Sequence, residues 1–202
     1  MTITRGEPWG QPGPLPEGAP TFADDRSLAV YCRARWPEPV VVGLLGGDLF
    51  ACLGGVPGAP PRWLSGEAMH LPVDVVEVVL DGGTSDFFVA HLVARTTLWR
   101  GRSAVAAQAD RLGEWVIGPR AHPNDALVDV TEGSLGWRQL LLARRRARNG
   151  THLPHPDLQT RRSSELDLDL GRPVPIRLDG TVVGQARSLS LRVVPDALTI
   201  VI

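Results

Sequence analysis

From Val40 to Leu45 only Gly43 lacks an apolar side chain, and the run stops at Gly46, Gly47 and Asp48. A segment this apolar cannot be half exposed, so it predicts a strand buried on both faces. Two residues without side chains at its end can bring bare backbone amides close to a ligand. An acid beside them can hold a metal or polarise a donor, the pattern of a phosphate site. The same tripeptide also suits an ordinary strand-to-loop turn in which the glycines supply unusual dihedrals and Asp48 caps the next segment. Taken alone, it favours the turn. Leu49 to Leu53 predicts a short helix before Gly54-Gly55, and strand, glycine turn, helix is the order a phosphate site requires.

Around this run the chain divides by composition. Pro12, Pro14, Pro16 and Pro20 leave the first twenty residues without periodic apolarity, which predicts a draped or flexible arm. Asp24 to Trp36 predicts a helix, with a capping acid at its start, Leu28, Tyr31, Cys32 and Trp36 near one face, and Pro37 as a stop. A Pro/Gly-rich linker, Gly54 to Pro61, then separates two expected units, 1–60 and 61–202. In the second, Val73 to Leu80 and Phe87 to Ala94 flank the turn Asp81-Gly82-Gly83 and read as a hairpin. Further strands are expected at Ser103–Ala107, Glu114–Ile117, Leu127–Thr131, Leu166–Leu168, Val174–Leu178, Ser188–Val194 and Leu198–Ile202. Leu135 to Arg148 has the spacing of a helix. The expected fold is α/β plus β: a small N-terminal α/β lobe, then a predominantly antiparallel β-sandwich-like lobe.

Composition narrows the chemistry. The chain has 202 residues, a formal charge of -1 and no long like-charged block, which argues against a surface built for nucleic acid. It contains no lysine, so all 21 basic residues are arginine. That excludes Schiff-base chemistry, a lysine nucleophile and the phosphate loop ending in Gly-Lys-Ser/Thr. Any phosphate must be held by backbone amides, arginine or metal. Cys32 and Cys52 lie outside zinc spacing and read as small core residues. No apolar run approaches the roughly 18 residues that span a bilayer, and the expected compartment is the cytoplasm.

The ordered segments Gly46-Gly47-Asp48, Pro119 to Val130, Gly150-Thr151-His152, Leu178-Asp179-Gly180 and Val193 to Ile202 together resemble the diacylglycerol kinase and sphingosine kinase family of lipid kinases. The resemblance is best over the second half of the chain. It implies phosphorylation, dependent on ATP and magnesium, of a diacylglycerol-like or related lipid alcohol. It implies Gly46, Gly47 and Asp48 in the nucleotide phosphate and magnesium network, Asp179 as the general base, and Asp125 with the Leu127 carbonyl as a magnesium site bracing the β-rich lobe. By itself, Asp125 also suits a turn cap, and Asp179-Gly180 a tight hairpin turn.

Departures from the family pattern keep a second class open. Leu49-Phe50 stands where the family has Gly-Thr, Thr181 where it has Glu, and Ala126 where it has Gly. No Gly-Thr-x-Asn-Asp loop separates the linker from Val73. The alternative is a catalytically inactive relative acting as a binding or scaffolding protein. His122, His152 and His155 lack the spacing of a zinc set and suit turns around Pro123, Pro154 and Pro156. Arg144, Arg145, Arg146 and Arg148 either solvate a helix end or meet phospholipid headgroups, so membrane contact is at most peripheral.

Overall fold

The computed structural model describes residues 9–64 and 66–202. The N-terminal part comprises β1 (Gln11–Pro12), β2 (Thr21–Phe22), α1 (Asp25–Arg33), β3 (Val40–Leu44) and α2 (Asp48–Cys52). Next come β4 (Met69–Leu80), β5 (Thr84–Phe88), β6 (His91–Ala94), β7 (Ser103–Ala107), and the small hairpin β8 (Arg111–Leu112) and β9 (Trp115–Val116). The chain closes with β10 (Val128–Gly133), α3 (Trp137–Ala147), β11 (Leu158–Ser163), β12 (Glu165–Leu178) and β13 (Thr181–Val201). Among the described residues no helix is long and apolar enough to cross a membrane.

All strands except β8 and β9 join one sheet, which runs β1-β4-β13-β12-β6-β7-β10-β11, with β5 on β4, and β2 and β3 joined through β13. The pairing is antiparallel except at β3, which lies parallel to both β2 and the end of β13. β2 therefore leads into α1 as β3 leads into α2. Asp24 caps α1 by accepting the Ser27 amide at 2.7 Å, and Leu28, Ala29 and Cys32 form its buried face.

Two cores share the long strands. In β4, Leu71, Val73 and Val75 pack with α1, α2 and β3, whereas Val76, Val78 and Leu80 pack with β6, β7, β10 and β12. Alternation explains this: odd positions face one side of the sheet, even positions the other. β13 does the same with an irregularity between Val194 and Leu198, sending Leu189, Leu191 and Val193 to the second core and Leu198 and Ile200 to the first. The β-branched run at Val73 looks continuous in sequence because successive residues serve different cores.

Three sequence expectations change here. Leu166–Leu168 and Val174–Leu178 belong to one strand, β12, with a register shift between Asp169 and Val174. Ser188–Val194 and Leu198–Ile202 likewise merge in β13. The return from the Asp81 turn is split: β5 pairs with β4, whereas β6 leaves it to pair with β7 and β12. The first core takes side chains from both sides of the linker at residues 54–61.

A chain shortened to begin at residue 66 would leave Leu71, Val73, Leu198 and Ile200 without their cover. It should bind an apolar fluorescent dye and lose its cooperative thermal transition. A fragment that stays monomeric, dark to the dye and cooperative would show that the second core stands alone.

Candidate functional site

Gly46, Gly47 and Asp48 lie where β3 turns into α2, and the turn requires both glycines. A Cβ at Gly46 would meet the Ala23 carbonyl, and Gly47 has a φ of 98° with its α-carbon against the Asp25 carboxylate. Asp25, the first residue of α1, is buried and accepts the Asp48 amide at 2.7 Å and the Leu49 amide at 3.2 Å. A carboxylate of the chain itself thus already accepts the amides at the start of α2. Leu49 and Phe50 point into the first core. The Asp48 side chain accepts the Gly113 amide at 2.8 Å and lies 3.8 Å from Nδ1 of His91.

Asp179 occupies the tight turn between β12 and β13 in a left-handed conformation, φ 47°. Its carboxylate does not face solvent as a hairpin-turn acid would. It accepts the amides of Val89, Ala90 and His91 at 3.0, 2.9 and 2.9 Å, and its own amide donates to the His91 carbonyl at 2.9 Å. These bonds hold the chain where it leaves β5 and enters β6, which is why the expected Phe87–Ala94 strand divides there.

The carboxylates of Asp179 and Asp48 are close enough to act on Asp25. Burial pushes Asp25 up to about 7, and the charges of Asp179 and Asp48 add to the shift against the donated amides. Burial pushes Asp179 up to about 6 despite its three amide bonds. His91 is pushed down by burial, with Asp48 opposing. The structure thus brings Asp48 and Asp179 to one place, and adds Asp25 and His91. Sequence reasoning missed Asp25 because Asp24 sufficed as the cap. The available signal was a second acid behind a short β-branched strand, repeating the strand-to-helix order of β3 and α2.

Asp125 and Leu127 lie elsewhere, in the loop before β10. The Leu127 amide donates to Asp125 Oδ1 at 3.0 Å, closing a local turn, while Arg162 pairs with the other oxygen and approaches Asp129 at 3.4 Å. A guanidinium already supplies the positive charge that magnesium would bring. The organising acid there is Asp74, fully buried in β4, which accepts the amides of Ala126 at 2.7 Å and Asp196 at 3.0 Å. Among the described residues no group of three or more His, Cys, Asp or Glu is arranged to hold a metal ion. Neither the loop at Gly46 nor the pair Asp125 and Leu127, as folded, fits the ligand expected of it.

A cavity of about 310 Å³ opens on the sheet face opposite the second core. Leu92 and Ala94 of β6 point into that core, so His91 and Val93 point to the cavity. Val105 continues the floor, and Leu140, Ala143 and Ala147 of α3 form the roof. His91 and Gly180 lie in its wall, so the acid cluster adjoins that wall.

Two outcomes test these assignments. Asp179→Asn replaces an acceptor-only group by an amide that cannot satisfy all three backbone donors, and should lower unfolding free energy by about 2–4 kcal/mol in denaturant titrations. Unchanged stability would show the clamp to be dispensable. Asp25 has a folded value of about 7 against 3.8 ordinarily, so between those values the folded chain binds more protons, and this group's contribution to stability falls as pH rises. The stability of wild type relative to Asp25→Asn should therefore decline from about pH 4 to about pH 7. A difference independent of pH would contradict the burial of that charge.

The fold has solved counterparts. A structure described as a diacylglycerol kinase from Bacillus anthracis str. Sterne superposes with a TM-score of 0.51 at 12% identity, covering 85% of this chain and 79% of that one. A candidate diacylglycerol kinase from the same organism gives 0.56 at 11% identity, covering 89% and 83%. No curated protein sequence matches the chain. Residues 72–202, from β4 to the last residue, match the family described as the YegS C-terminal NAD kinase beta sandwich-like domain. The chain belongs to that family.

Proposed function

We propose that this kinase-family chain binds a single-chain amphiphile in the cavity beneath α3 and holds no nucleotide at the Gly46 loop. The observation that carries the reading is the cavity, walled by Val93, Val105, Leu140, Ala143 and Ala147, with His91 and Gly180 also in its lining. Apolar walls with a few polar groups among them suit a ligand with an alkyl chain and a polar head. At about 310 Å³ the space is at the small end of ligand sites, roughly 300–1,000 Å³, which favours one chain over two. The Asp25 carboxyl on the Asp48 and Leu49 amides supports the absence of a phosphate there, since a phosphate would have to displace an acceptor that already holds these amides.

Phosphorylation of a lipid alcohol is the competing reading, favoured by one observation: Asp48 and Asp179 stand behind the cavity wall that holds His91. In that reading Asp179 accepts the hydroxyl proton, and ATP with magnesium supplies the phosphoryl group. Against it, three backbone amides already take three of the roughly four lone-pair sites of the Asp179 carboxylate.

Thermal unfolding with each ligand separates the two. A monoacylglycerol at about 100 times its dissociation constant should stabilise the chain by about 2.7 kcal/mol, ATP with magnesium should not, and labelled phosphate should not appear in the lipid. Stabilisation by ATP with magnesium, or a labelled lipid product, would establish the kinase reading instead.

A further inference from the structure

The cavity wall carries three arginines, Arg95, Arg144 and Arg177, and no carboxylate. Elsewhere the sheet pairs its arginines with acids: Arg102 and Arg161 with Glu132, Arg162 with Asp125, Arg192 with Glu77. The three in the cavity have no ion-pair partner among the described residues. Arg95, beyond the end of β6, donates only to the carbonyls of Thr96 and Thr97, at 3.2 and 3.0 Å, and lies over the Trp99 ring at 4.8 Å. Arg144 of α3 lies over the Trp115 ring at 5.2 Å. Arg177 is opposite Val93 in the sheet, and its Nη1 is buried without a hydrogen-bond partner among the described residues.

This arrangement is costly for the protein alone. The Arg177 Nη1 is withdrawn from water without an anion and loses solvation that nothing replaces, Arg95 is half-buried beside it, Arg144 is exposed, and three like charges together repel. Burial, with Arg177 and Arg144 adding like charge, pushes Arg95 below its usual value. An anion among them would reverse both costs, since a guanidinium presents a planar fork of donors that matches carboxylate and phosphate oxygens.

We infer that the cavity takes an anionic single-chain amphiphile, its carboxylate or phosphate head held by Arg95, Arg144 and Arg177 and its alkyl chain lying between Val105 and α3. The inference rests on the reading that the cavity binds a lipid, and adds the charge of the head. A neutral alcohol would leave the three guanidiniums unmatched.

The test is calorimetric titration of the full chain with dodecanoate, dodecyl phosphate and dodecanol, each below its aggregation threshold. At least one anion should bind about tenfold or more tighter than dodecanol, and which one identifies carboxylate or phosphate as the head. Arg177→Met should reduce that preference to about twofold while preserving dodecanol binding, whereas Arg187→Gln, which removes an exposed arginine beside Asp169 at 3.5 Å, should preserve it. The melting temperature of ligand-free Arg177→Met should equal or exceed that of wild type, because an unmatched charge has been removed. Equal affinity for all three ligands, or a preference that survives Arg177→Met, would overturn the headgroup assignment and leave the cavity reading standing. Binding of none would overturn both.

Discussion

The pairing of β4 with β13 is the constraint on which the other features depend. Two long strands must cover α1 and α2 on one face at one end and the curled β6-β7-β10 layer on the other face at the opposite end. The alternation of β4 does this without interruption, while β13 takes an irregularity between Val194 and Leu198. Asp74 sits at the change-over, where its carboxylate binds the Asp196 amide in the irregular segment and the Ala126 amide in the loop before β10. Burial pushes it up to about 6, so the fold accepts a costly charge to fix this crossing.

Asp179 solves a related problem at the other end of the sheet. The chain must leave β5, beside β4, and enter β6, beside β12. The backbone amides exposed by that departure need acceptors in a place water does not reach. One carboxylate on the β12–β13 turn accepts three of them. Both turning points of the sheet therefore rest on a buried acid binding main-chain amides, and Asp25 repeats the device at the start of α2.

Local elements were legible in the sequence where one physical signal dominated. The α1 cap at Asp24, the existence of strand β3, the short helix after Gly47 and the Leu-rich helix after Gly136 follow from local pattern and capping, although Val41 of β3 is exposed. The lengths of β12 and β13 did not, because polar residues at irregularities, such as Arg172 and Asp196, interrupt alternation without ending the strand. Asp179 was singled out by resemblance. That it would be spent on three amides depended on the path of residues 89–91, which no local pattern encodes. The arginines of the cavity were equally hidden: Arg177 is one polar residue in an alternating strand, and only the sheet order places it near Arg95 and Arg144.

The account rests on one contrast: an open apolar cavity with unmatched cations at one place, and a glycine loop whose amides Asp25 already holds at another. Backbone amide chemical shifts observed during titration with dodecanoate, and separately with ATP and magnesium, measure both places at once. Dodecanoate should move the resonances of Val93, Val105, Ala143 and Arg177, and ATP with magnesium should leave Asp48 and Leu49 where they are. Saturable shifts at Asp48 and Leu49 with the nucleotide, and none around the cavity with the lipid, would contradict the account.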